Sequence, residues 1–239
     1  MKRKHNQGFT LIEIAIVLVI IGLLLGGVLK GQELITSARV RNLISQQDGI
    51  KAAFFGFQDR FRALPGDYTA ATANITGANG NGNGNGQIES AATPVGGSKA
   101  QEDILAWDHL SHAGFINGSY TFATAPTDNP PSNPKNPYSI YLQLVYDSAW
   151  GVAGNTIVKH NVKTGSQVPV EILAEVDRKI DDGLPYTGGF QYSQYDAGTG
   201  NVPAVGATSV SPNCVNTSTV PPSWTTTSGS TNCAAASLL

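Results

Sequence analysis

One carboxylate stands inside the first apolar run of this chain. From Phe9 to Leu29 the only charged residue is Glu13, and a stretch of about 20 such residues is enough to cross the hydrocarbon core of a bilayer as a helix. A charge within such a span costs roughly 2.5–3.5 kcal/mol on insertion scales, so Glu13 needs a partner and reads as functional. A secretory signal peptide would have a shorter apolar stretch and a small-residue cut after it, and no Ala-x-Ala follows here. A plain anchor fits the length, with Lys2, Arg3 and Lys4 holding the start in the cytoplasm, but leaves Glu13 without a role.

Other groups that could do chemistry are fewer and weaker. Asn81, Asn83 and Asn85 alternate with glycine ahead of Ile88 and Glu89, echoing the first half of a calcium loop. The carboxylates are missing, since Asn replaces Asp three times and Ala92 stands where the closing Glu belongs. These four, Asn81, Asn83, Asn85 and Glu89, are weak calcium candidates beside the reading of a flexible Gly/Asn loop. His109 and His112 lie three apart, a possible metal pair on a helix, though a surface pair explains them without a third ligand. Asp177, Asp181 and Asp182 could hold a cation, but read better as a helix ending in a turn at Gly183. No HExxH, GxSxG or GxxxxGK[ST] occurs, and the Gly-Asn repeat has no strand before it and no helix opening on it, so an enzyme is not expected and neither is a cofactor.

These residues need elements to place them. Beyond Lys30 the apolar run turns amphipathic, with Val40, Leu43, Ile44, Ile50, Phe54, Phe57 and Phe61 spaced mostly by three and four. One helix is therefore expected from residue 9 to residue 64, transmembrane over 9–29, until Leu64-Pro65-Gly66 stops it. Residues 65–239 hold all 13 Pro and most of the 27 Gly, which predicts a head of one domain's size built on an antiparallel sheet with long loops. Strands are expected at Ser139–Tyr146, Val152–His160 and Phe190–Tyr195. Helices are expected at Ala100–Ala113, with Trp107, Leu110 and Ala113 docking on the sheet and Gly114 as C-cap, and at Val168–Asp181. The fold class is thus α+β.

The stretch from Lys4 to Glu13, K-x-x-x-G-F-T-L-I-E, resembles the class III leader of type IV prepilins and of type II secretion pseudopilins. The resemblance covers about 25 residues. It implies a leader at residues 1–8, cleavage between Gly8 and Phe9 by a prepilin peptidase, N-methylation of Phe9, and an assembly role for Glu13. It implies the pilin fold, a spine helix packed on a small sheet, and assembly with other pilins by an inner-membrane platform and its ATPase. It places the chain as a single-pass inner-membrane protein with its head in the periplasm, then in a filament. Cleavage would expose an amine one turn from Glu13, and a neighbour shifted by a turn would bring the two charges together, as a device for register. Gly22, Gly26 and Gly27 would allow close helix approach, although glycines are also simply common in membrane helices.

A head outside the cytoplasm would sit where disulfides persist, so Cys214 and Cys233, the only two cysteines, are expected to pair as in the C-terminal loop of type IV pilins. Nucleic-acid binding is not indicated. Three of the 15 basic residues are Lys2, Arg3 and Lys4, leaving 12 against 17 acids after cleavage, with no visible basic patch. The sequence leaves open pilus or secretion pseudopilus, and a structural subunit or, as the alternative, a minor tip pilin whose region from Asp196 to Leu239 acts as adhesin or ligand-binding module.

Overall fold

Between Leu11 and Phe61 no proline interrupts the chain, and the result is a single 51-residue helix, α1. Glu13 lies in its first turn and Arg60 in its last, each complementing the helix dipole. The computed structural model describes residues 11–90, 101–124, 127–152, 154–193 and 214–239. The chain divides into two compact units at Arg39 and Val40. In the first, the described residues 11–39 form the leading part of α1 and bury almost nothing.

In the second unit α1 contributes Val40, Leu43, Gln47, Ile50, Ala53, Phe54 and Phe57 to the interior, the stripe that the three-and-four spacing predicts. Ile44 and Phe61 are only partly buried. The helix ends at Phe61 rather than Leu64, because Arg62 turns left-handed at φ +53 before the proline is reached.

Four strands make the main sheet in the order β1-β2-β6-β3, all antiparallel: β1 Gln143–Asp147, β2 Lys159–Lys163, β3 Phe190–Tyr192 and β6 Ala235–Leu238. A separate two-stranded ribbon joins β4 Val215–Asn216 to β5 Ser223–Trp224. The helices are α2 Ala71–Asn74, α3 Glu102–His112 and α4 Val170–Ile180. One core gathers Ile50, Phe54 and Phe57 with Trp107, Leu110, Leu142, Leu144 and Val162. The other gathers Val40 and Leu43 with Val170, Leu173, Phe190, Trp224 and the disulfide.

Two strand expectations are corrected. Ser139 has φ +66, and the Asn136 side chain accepts the Tyr138 and Ile140 amides, so a turn occupies the start of the first expected strand. Among the described residues, 152 and 154–158 form no ladder: the Asn155 amide bonds back to Val152 and its side chain accepts Ile157 N. Ile157 accordingly lies exposed, and pairing begins at Lys159. Tyr195, at the end of the third expected strand, lies outside the described residues, as does Ala100.

Candidate functional site

The Gly/Asn loop of the head is organised around an acid. Amides of Gly84, Asn85 and Gly86 donate to the Asp67 carboxylate at 2.6, 3.0 and 2.8 Å. The side-chain oxygens of Asn83 and Asn85 accept the amides two residues on, and that of Asn81 accepts from Thr72. Of the calcium candidates, Asn83 and Glu89 are brought together by a 3.0 Å bond. Donors converging on a carboxylate give this loop the polarity of an anion nest, and the calcium reading draws no support from it. Glu102 completes the network, accepting Asn83 N and Glu89 N. Burial pushes its carboxyl up to about 7 against the pull of those amides, and the Asp67 and Glu89 charges add to the rise. Asp67 is not legible in the sequence, because its partners lie 17 to 19 residues away.

The histidines do not form a surface pair. His109 is wholly buried, accepts Gly66 N at Nδ1 and donates from Nε2 to Gly80 O, while burial keeps its pKa low. Both ring nitrogens are therefore committed to backbone. His112 is partly exposed and lies 3.4 Å from Asp108. Trp107 and Leu110 are buried as expected, Ala113 only partly, and Gly114 follows the Ala113 cap at φ +79.

Cys214 and Cys233 are joined, with Cα atoms 5.8 Å apart. Inside the closed loop Trp224 packs in the core and donates from Nε1 to Asp177 at 2.7 Å. Burial, with the charges of Asp182 and Asp181, raises the Asp177 carboxyl to about 6, although the Trp224 bond opposes the shift. Gly183 takes φ +77 after α4, the left-handed position expected of it.

The N-terminal segment carries the other candidate site. Glu13 is exposed in the first turn of α1, on a helix long and apolar enough to cross a membrane. Leu11, Ile12, Leu18, Leu23 and Leu29 are each more than 60 % exposed. Side chains added at Gly22, Gly26, Gly27 or Gly31 would meet nothing within 4 Å. Each glycine costs a helix about 1 kcal/mol relative to alanine, and packing within the described residues does not offset it. Gly8 and Phe9 lie outside the described residues.

Residues 3–29 match the prokaryotic N-terminal methylation motif. It is the type IV pilin-like signature, and the match takes in Gly8, Phe9 and Glu13. No curated protein and no solved structure matches the chain significantly. With the methylation motif placed, the α+β architecture of a long apolar N-terminal helix and a small four-stranded antiparallel sheet is pilin-like. The motif supports a type IV pilin or pseudopilin, a structural rather than enzymatic class, and is consistent with membrane anchoring.

Proposed function

We propose that this chain is a structural subunit of a type IV pilus or of a type II secretion pseudopilus. The prepilin peptidase cleaves it between Gly8 and Phe9 and methylates Phe9. Residues 9–29 hold the subunit in the inner membrane, with residues 65–239 as a periplasmic head, until the platform protein and its ATPase feed it into a filament. Glu13 then pairs with the Phe9 amine of a neighbour, each charge neutralising the other in apolar surroundings. The observation that carries this reading is the methylation motif at residues 3–29, of which residues 11–29 lie on a helix whose apolar side chains and glycines are exposed.

Intact mass tests it, on protein from membranes of a host with the peptidase and of one without. Loss of residues 1–8 plus gain of one methyl group, only where the peptidase is present, is the expected result. The full-length mass in both hosts would end the proposal.

A tip subunit is the second reading, favoured by one feature of the head. An open cleft of about 680 Å³ is lined by Phe54, Phe61, Tyr68 and His160 and also by Arg62 and Asp67, a mixed surface suited to an aromatic ligand that carries polar groups. The two readings separate by abundance: deleting a major subunit abolishes filaments, whereas deleting a scarce tip subunit leaves them present or fewer.

A further inference from the structure

Five asparagines in this chain are followed by glycine: Asn79, Asn81, Asn83, Asn85 and Asn117. A glycine has no side chain to shield its own amide, so its nitrogen can reach the carboxamide carbon of the asparagine before it. That nitrogen loses its proton and attacks Cγ, ammonia leaves, and water opens the resulting five-membered imide to aspartate or isoaspartate. The dipeptides themselves do not rank the five sites. Exposure does not rank them either, since all five asparagines are exposed.

Hydrogen bonding separates them. Gly84 N and Gly86 N, the nitrogens that would attack Asn83 and Asn85, donate to the Asp67 carboxylate at 2.6 and 2.8 Å, and Gly84 N also meets Asp67 O at 3.0 Å. Gly82 N, the nucleophile for Asn81, donates to Tyr68 O at 3.0 Å. The carboxamides under attack are held as well. Those of Asn83 and Asn85 accept the amides of Asn85 and Gln87, at 2.9 and 2.8 Å, which turns each oxygen toward the residue two positions on. That of Asn81 accepts Thr72 N at 2.9 Å. Gly80 N makes no hydrogen bond among the described residues, but the Asn79 carboxamide is pinned, donating at 2.6 Å to Oδ1 of the wholly buried Asp108.

Asn117 carries none of these restraints. Among the described residues neither its carboxamide nor Gly118 N makes a hydrogen bond. The fold nevertheless requires the glycine, which has φ +105 and stands where a Cβ would lie 3.1 Å from the Tyr120 ring. We infer that Asn117 is a site of spontaneous deamidation, and that Asp67 protects Asn83 and Asn85 from the same reaction. The change puts an acid in place of a neutral amide on the turn that follows α3, and where isoaspartate forms it adds a methylene to the backbone. Tyr120 N donates to Ser111 Oγ, which donates in turn to Tyr120 O, both at 3.3 Å. That tie between α3 and the chain leaving the turn is the contact a longer backbone disturbs first. The site is independent of the filament reading, and its test needs no filament.

The experiment ages purified full-length protein in detergent micelles at mildly alkaline pH, folded and in guanidinium chloride. Peptide mapping by mass spectrometry, with isoaspartyl methyltransferase labelling, follows each asparagine. In the folded protein Asn117 should convert first, and Asn83 and Asn85 more slowly by roughly ten- to a hundredfold, the cost of releasing one amide from a carboxylate. In guanidinium the five should react at similar rates, because only the fold distinguishes them. Asp67→Ala should speed Asn83 and Asn85 in the folded protein and leave Asn117 unchanged. If that variant does not fold, the folded and unfolded parent decide between them. Asn117 no faster than Asn83 and Asn85 in the folded protein, or the same ranking kept in guanidinium, overturns the site. Unchanged rates at Asn83 and Asn85 in a folded Asp67→Ala protein overturn the protective role.

Discussion

Cys233 and Val168 exchange two backbone hydrogen bonds, at 3.0 and 3.2 Å, immediately before Val170 begins α4. The disulfide therefore ties the Cys214 end of the ribbon to the entrance of a core helix, and not only to a surface tail. Closing a loop of this length contributes roughly 3 kcal/mol in the chain-entropy account. Cys214→Ser with Cys233→Ser should lower Tm by about 6–12 °C. Thermal melts of the two proteins without reductant check this, and coincident curves would show that the bridge adds nothing.

A second prediction concerns the buried ion pair of the sheet. Lys163 on β2 donates to Asp147 on β1, both almost without exposure, and Asn161 supplies a further bond to the same carboxylate at 2.9 Å. Removing one partner strands a charge, so Lys163→Met should cost about 3–5 kcal/mol. Adding Asp147→Leu should recover much of that loss, because two apolar groups no longer leave an unpaired ion. Urea unfolding of the single and double variants decides it. A double variant no more stable than the single would mean that the pair's geometry, and not its charge balance, holds the strands.

How much of this was legible in the sequence depends on how far each partner lies along the chain. The α1 stripe, the α3 and α4 positions and Gly183 follow from local periodicity and turn chemistry. The strand β6 did not. Its residues Ala235–Leu238 are alanine-rich, a composition depleted in strands, yet they sit between β2 and β3 with Ala235 and Ala236 wholly buried. Only a close inter-strand fit explains them, and that is a property of the assembled sheet. The grouping of Asp177, Asp181 and Asp182 is legible from their spacing, whereas the bond from Trp224 to Asp177 spans 47 positions and is not.

Acidity gives a third test. Glu102 rises from an ordinary 4.5 to about 7 through burial, so between these values the folded chain keeps a proton that the unfolded chain releases. Stability from this group is therefore full at low pH and falls as pH rises toward 7, then levels. Burial lowers His160 from 6.5 to about 4, which acts in the opposite sense, its contribution being lost as pH falls through 4. That histidine is common to parent and variant and cancels in their difference. Glu102→Gln cannot ionise, so its Tm relative to the parent should climb from pH 4.5 to 7 and then hold steady. Paired melts across that range would refute the assignment if the two curves stayed parallel.

The last prediction returns to the open glycines. A β-carbon at Gly22 or Gly26 touches nothing within the described residues, so the chain's own packing supplies no reason for either glycine. Replacing both with alanine removes about 2 kcal/mol of helix penalty; replacing both with leucine does the same and adds bulk to the surface. Membrane insertion and head stability should survive either change. If neighbouring helices approach closely at these positions, as small residues four apart permit, alanine should be tolerated and leucine should sharply reduce filaments while cleaved subunits accumulate in the membrane. Electron microscopy with immunoblots of membrane fractions separates the cases. Normal filaments from the leucine variant would mean that the helices meet along a different face, with Glu13 rather than the glycines setting their register.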